Sequence, residues 1–452
     1  MCWPRWTAPP RRDRCRVRDP HRRRVAITGL GAICALGNTV PEMWAGMLAG
    51  RSGIGPIAGI PTDRLTASIA AEITGFDPAA HFEPRRLPLL DRGAQLAVVA
   101  AREAMSQAGL QPDPAQAHRR AAIVAAVIGQ TSLDAAYFAF YGQNATRVHP
   151  LTVPRIMTNG AASHLTMEFG LHGPSYAVAS ACASANHAIA AAADTIRLGR
   201  ADVVLTGGAD ASIVVGVFKC WEALRVLSSD TCRPFSRDRT GLVLGEGAGI
   251  LVLEDWDHAI RRGATILAEL AGSGMSADGA DLTAPDAAGA AAAMQGALDD
   301  AGLDASEIGW VNAHGTGTRL NDKTESAALH RVFRRPPPAS SSKSMIGHCL
   351  SAGGGLEAVA TVMALRSGVA PPTANYREPD PECDLDFIPN QARAQPMQAA
   401  LSNSFAFGGL NAVIAITAAA SATAGAAASA TAGAAASATA GAAASATAGA
   451  AA

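Results

Sequence analysis

Three short strings hold the residues of this chain that can do chemistry. They are Ser180-Ala181-Cys182-Ala183-Ser184, His314-Gly315-Thr316-Gly317-Thr318 and Lys343-Ser344-Met345-Ile346-Gly347-His348. Together they supply one thiol and two imidazoles, each beside small residues. That set suits carbon–carbon bond formation on thioesters. The thiol can hold an acyl group. Two neutral imidazoles can donate to the enolate oxygen left when a malonyl thioester loses carbon dioxide. The thiol and the first imidazole are far apart in the chain, so only a fold can join them.

Each residue has a local setting. Cys182 stands where a strand meets a helix, among the free N–H groups of the helix start. That setting favours the thiolate and lowers a thiol from about 8.5 toward the range of about 3.5–7.5. A small Cys filling a core gap is the plainer reading of the same residue. His314 ends an apolar strand. The hydroxyls of Thr316 and Thr318 beyond it can bond an amide-bearing arm. His348 follows Lys343 and precedes Glu357. A helix from residue 351 lets Glu357 pair with a buried Lys343, and neither charge is tolerable there alone. Taken singly, either His reads as a core or loop residue, as do His81, His118 and His258. The chain has no Cys-x-x-Cys, His-x-His or His-x-x-x-His spacing, so no metal site is expected.

The elements that must position these groups alternate short β-like runs with small-residue helices. Strands are predicted at 25–28, 122–128, 176–180, 202–206, 249–253, 266–271, 309–312, 385–388 and 411–417. Helices are predicted at 39–48, 92–107, 183–198, 287–300, 323–332 and 354–365. Such alternation indicates an α/β fold. The segments 182–199 and 351–368 look like copies of one device: a tight turn, then an apolar helix ending in Arg-x-Gly. They suggest two duplicated halves, 23–265 with the thiol and 266–417 with both imidazoles.

The 452 residues suffice for a large core without disulfides or metals. A net charge of −1 gives no field favouring nucleic acid. The eight Cys are scattered, as in a reducing cytoplasm. Residues 1–22 form a basic arm, expected to be disordered or a mis-assigned start. Residues 418–452 are a low-complexity Ala-rich tail with four copies of Ser-Ala-Thr-Ala-Gly-Ala-Ala-Ala. The tail offers nothing bulky to pack and is a weak membrane former, so no integral membrane segment is expected.

The strings, in their order, resemble the β-ketoacyl-[acyl carrier protein] synthases of the condensing-enzyme, or thiolase-like, superfamily. Two further strings carry the resemblance: the run from Arg233-Pro234-Phe235-Ser236 to Gly249, and the run from Asn403 through Phe407 to Asn411. The resemblance implies a five-layered αβαβα fold and a homodimer. It implies an elongating acyltransferase that joins an acyl thioester to malonyl-[acyl carrier protein]. No bound cofactor is implied, because substrates ride on the carrier protein's phosphopantetheine. Cys182 would accept the acyl chain, and His314 and His348 would promote decarboxylation. Lys343 and Glu357 would order the site. The N–H groups of Cys182 and Phe407 would form the oxyanion hole, Phe407 would gate the acyl pocket, and Thr316 and Thr318 would contact pantetheine. Two positions depart from the family: Ala406 replaces a Gly, with strain expected if the backbone there has positive φ, and Leu410 replaces a Thr.

Ala183 to Ile189, Trp221-Glu222-Ala223 and Thr231 to Ser236 look most like the nodulation protein E branch, which makes specialised unsaturated acyl chains. A thiolase would need a second Cys near Phe407, and none is there. Partner subunits of polyketide synthases lack the nucleophile, which Cys182 supplies. The implied location is cytoplasmic, or peripheral on the inner membrane.

Overall fold

The computed structural model describes residues 22–126 and 129–419. Most of the basic arm, the end of the second predicted strand and the repeat tail lie outside the described residues. Ten strands form one mixed sheet. In chain order they are β1 (Val25–Cys34), β2 (Arg120–Ala126), β3 (Tyr176–Val178), β4 (Val203–Asp210), β5 (Gly247–Asp255), β6 (Ala268–Ala277), β7 (Ile308–Asn312), β8 (Ala339–Ser340), β9 (Ala399–Ala406) and β10 (Leu410–Ala418). The main helices are α1 (Val40–Leu48), α2 (Arg92–Gln107), α3 (Gly160–Phe169), α4 (Ser184–Arg197), α5 (Val215–Ala223), α6 (Ala287–Ala301), α7 (Arg319–Val332) and α8 (Gly353–Ser367).

The spatial order is β8-β7-β9-β10-β6-β1-β5-β4-β2-β3. It divides into two copies of one topology. From the edge inward, each half runs third, second, fourth, fifth, first. The first two pairings are parallel and the next two antiparallel in both halves. The first strands of the halves meet through Ala26↔Glu269 and Ile27↔Ala268. Helices α2 and α3 cover one outer face, and α6 and α7 the other. Helices α4 and α8 lie in the middle and touch strands of both halves. The layers are therefore αβαβα.

Middle helices can carry no solvated face. Helix α4 is rich in Ala and buries ten of its residues, and α8 buries twelve. Glycine lets α8 approach the sheet: a Cβ on Gly355 would lie 2.3 Å from the Gly249 carbonyl oxygen. The surface helix α2 instead shows one apolar stripe and starts at Asp91, whose side chain accepts from the Gly93 N–H.

The repeated device is visible in backbone detail. Ala181–Ala183 and Leu350–Ala352 are both three-residue 3-10 turns that run straight into α4 and α8. Each opens on a non-glycine residue with positive φ, 48° at Ala181 and 44° at Leu350. Cys182 and Ser351 occupy the same place in the two copies.

The segment 385–388 is not a strand. Phe387 and Ile388 are buried, but Ile388 has φ of 48° and its N–H bonds the Asp386 side chain. Its apolar residues plug the core from a turn. A strand absent from the sequence reading, β9, takes the ladder position. Six of its eight residues, Ala-Ala-Leu-Ser-Asn-Ser-Phe-Ala, are small or polar, and all eight are buried, so neither alternation nor β-branching announces it.

Candidate active site

Cys182 sits at the start of α4, 7% exposed. Ser184 pins its turn: its hydroxyl accepts from the Ser180 N–H at 2.7 Å and donates to the Ala181 carbonyl at 2.6 Å. The positive φ of Ala181 is strain held by that turn. Cys182 Sγ lies 3.0 Å from His348 Nε2. The thiol and one nitrogen from each of His314 and His348 all fall within 4.8 Å of one another. The two imidazoles stand edge to face, with ring centroids 5.4 Å apart.

Each imidazole is held through its backbone. The N–H groups of His314 and Gly315 donate to the two carboxyl oxygens of Glu325, both at 2.8 Å. Asn403 of β9 donates to the same carboxyl at 3.0 Å. The sequence reading missed Glu325. Its signal was present in α7, where Asp322, Glu325, Ser326 and Leu329 are buried at helical spacing. On the other side, the His348 N–H donates to Val243 at 2.7 Å, and its carbonyl accepts from Gly245 at 3.0 Å.

Lys343 and Glu357 form an ion pair, each side chain 1% exposed. Glu357 is aimed from α8, and the Asn312 side chain donates to its carbonyl at 3.1 Å. The Lys343 charge acts on Cys182, His314 and His348 alike.

Burial dominates the electrostatics. Burial, and then the Lys343 charge, hold both His314 and His348 well below the usual imidazole value, so both are neutral. Burial pushes the Cys182 thiol up to about 11. This corrects the expectation of a lowered thiol. Lys343 and the backbone N–H groups of Phe407 and Cys182 favour the thiolate, but desolvation outweighs them. The resting group is a thiol beside a neutral imidazole.

Phe407 tips the hairpin between β9 and β10. Gly408 and Gly409, with φ of 86° and 68°, make its turn. Ala406 is the last residue of β9 and is not among the residues with positive φ, so the strain expected there is absent from this conformation. The tip is braced by Gly408 N–H to the Leu282 carbonyl at 2.7 Å and Asp278 N–H to the Gly409 carbonyl at 2.9 Å. Leu410, 38% exposed, follows the turn.

A cavity of about 550 Å³ connects these parts. Cys182, His314, His348 and Phe407 line it together with Thr316 and Thr318, whose hydroxyls are 2.9 Å apart. Arg225 and Arg319, both exposed, also line it.

A buried thiol, two neutral imidazoles and a duplicated αβαβα fold define an acyl-transferring condensing enzyme of the thiolase-like class. The model of the β-ketoacyl synthase N-terminal domain matches residues 22–259, and that of its C-terminal domain matches residues 267–377. The chain belongs to the β-ketoacyl synthase family. It is 52% identical over 397 residues to nodulation protein E of Rhizobium sp. (strain N33), covering 87% of this chain and 98% of the relative. It is 37% identical over 408 residues to 3-oxoacyl-[acyl-carrier-protein] synthase 2 of Coxiella burnetii (strain RSA 493 / Nine Mile phase I), covering 88% and 99%. Among solved structures it resembles the AntDE:AntF complex, a type II polyketide synthase acyl-carrier protein with its ketosynthase bound to the hexaketide. That match has a TM-score of 0.80 and 31% identity, covering 88% of this chain and 100% of the other.

Proposed function

We propose that Cys182 is the acyl acceptor, and His314 and His348 the decarboxylation pair, of a β-ketoacyl-[acyl carrier protein] synthase. The observation that carries this reading is the convergence of Cys182 Sγ with both imidazoles inside one cavity. Cys182 Sγ attacks the acyl thioester carbonyl, and the carrier thiol leaves with the Cys182 proton. The developing oxyanion faces the N–H groups of Cys182 and Phe407. A malonyl thioester then enters along Thr316 and Thr318 and loses carbon dioxide. The enolate oxygen takes hydrogen bonds from His314 and His348, whose neutrality suits them to donate without transferring a proton. The enolate carbon attacks the acyl-Cys182 carbonyl, a carbon–carbon bond forms, and the Cys182 thiolate leaves and takes a proton from solvent. Lys343 and Glu357 order the site.

The substrates ride on phosphopantetheine of an acyl carrier protein, and no bound cofactor is required. The carrier-protein complex of the polyketide relative supports that partner. An exposed apolar strip with Tyr137, Phe138, Phe140, Tyr141 and Val153 supports a homodimer. Among the described residues no helix is long and apolar enough to cross a membrane; the proposed location is cytoplasmic. The higher identity to nodulation protein E favours a specialised acyl chain over a housekeeping one. The test incubates the protein with acyl- and malonyl-carrier protein and reads products by mass spectrometry. A β-ketoacyl product and an acyl adduct on Cys182, both lost in Cys182→Ala, are expected. Full condensation by Cys182→Ala overturns the reading.

A further inference from the structure

We infer that Trp221 is the latch of Phe407, the ring that the family resemblance implies as gate of the acyl pocket, and sets which acyl chains pass it. The inference rests on the condensing reading above. Trp221 and Phe407 stack, with ring centroids 5.9 Å apart and planes 26° from parallel. Both rings line the cavity that holds Cys182, His314 and His348.

The two rings are mounted differently. Trp221 belongs to α5, which is staked down on both sides. Phe218, one turn earlier, is fully buried. Glu222, the next residue, accepts from the N–H groups of Thr66 and Ala67. Lys219 bonds the Arg64 carbonyl at 3.0 Å and pairs with Glu222 at 2.7 Å. Phe407 instead rides a three-residue tip, is 37% exposed, and is followed by Gly408, where an added Cβ would meet nothing within 4 Å. When the gate moves, Phe407 is therefore the ring that leaves, and losing the stack on Trp221 adds to the cost of releasing the tip's two backbone hydrogen bonds. The Phe407 N–H sits against the Cys182 sulfur.

An aromatic stack biases such an equilibrium by roughly 2- to 10-fold. The gating role that the family resemblance implies for Phe407 would leave a two-carbon acyl group on Cys182 free of the gate and make a long chain pass it. Trp221 thus slows loading of long chains selectively, and a chain enters quickly only if its own contacts replace the stack.

The test measures single-turnover acylation of Cys182 from acetyl- and dodecanoyl-carrier protein by intact mass. Trp221→Ala is expected to speed dodecanoyl loading roughly 2- to 10-fold relative to acetyl loading. Trp221→Phe keeps a ring and is expected to behave like the parent protein. Trp221→Leu, which fills space without a ring, is expected to match Trp221→Ala and carries the test if the smaller side chain prevents folding. Ring-free variants with unchanged dodecanoyl loading, or with acetyl and dodecanoyl loading changed by one common factor, overturn the latch and leave the condensing reading intact. A parent protein that forms no adduct on Cys182 from either donor overturns that reading, and the latch with it.

Discussion

His348 Nε2 stands 3.0 Å from Cys182 Sγ, although 166 positions separate them in the chain. The duplication explains the meeting. Cys182 and Ser351 occupy equivalent turns at the heads of the two central helices, and His348 lies three residues before Ser351. The turns bring their residues to one plane in the molecule's middle. Ser351 spends its hydroxyl on structure, donating to Asp210 at 2.8 Å, while Cys182 faces the cavity. One copy of the device anchors the fold, and the other presents a thiol to the cavity.

The buried thiol has a measurable signature. With Cys182 pushed up to about 11, the thiolate fraction rises about tenfold per pH unit through the neutral and mildly alkaline range. Alkylation of Cys182 by iodoacetamide, followed by peptide mass mapping, is expected to climb from pH 7 to pH 10 without levelling. A plateau between pH 6 and pH 8 would show a thiol activated at rest.

The imidazoles are expected to stay neutral far into acid. Their values lie well below 6.5, so malonyl-carrier decarboxylation is expected to show no acid limb centred near 6.5. The sign for stability follows. A base lowered in the folded state contributes stability above its unfolded value of about 6.5, and that contribution is lost as pH falls through the folded value. Histidine carbon shifts in labelled protein check the neutral state directly. Protonation of His314 or His348 near pH 6.5 contradicts it.

The Lys343–Glu357 pair is a coupled unit. Replacing either charge alone leaves the other buried without its partner, at a cost of about 3–5 kcal/mol. Lys343→Met and Glu357→Leu are each expected to lower the unfolding free energy by that order, and the double variant by less than the sum. Urea unfolding of the four proteins gives the coupling. Strict additivity would mean that the pair contributes nothing as a pair.

Much of this site was legible in the sequence because its groups sit at chain turns rich in Gly, Ser and Thr, which local patterns reveal. Cys182, His314 and His348 stood out in that way, and the Arg-x-Gly helix endings gave a first sign of two copies. Three features were hidden for physical reasons. The thiol's shift depends on how much protein surrounds Cys182, which no helix-start argument measures. Six of the eight residues of strand β9 are small or polar and all eight are buried, so it lacks a strand's usual alternation. Strain at Ala406 was expected only if its backbone had positive φ, and the turn's positive φ falls instead on Gly408 and Gly409.

Glu325 makes the pH dependence of folding a test of the His314 loop. Burial raises its carboxyl to about 7, while the N–H groups of Gly315 and His314 and the Asn403 amide hold it back. Its unfolded value is about 4.3. An acid raised in the folded state contributes stability fully below the unfolded value and loses it as pH rises through the folded one. The window is therefore about pH 4 to 7. A gap of nearly three units corresponds to about 4 kcal/mol. Asp210, raised to about 6 by burial, acts in the same direction, so the parent protein alone does not isolate Glu325. Glu325→Gln keeps an acceptor for one of the two N–H groups and cannot ionise. The difference in unfolding free energy between parent and variant is expected to move toward the variant by about 3 kcal/mol from pH 5 to pH 8. A difference that stays constant across that range would show that Glu325 is ionised at pH 5 as well as at pH 8, and that its three donors outweigh its burial.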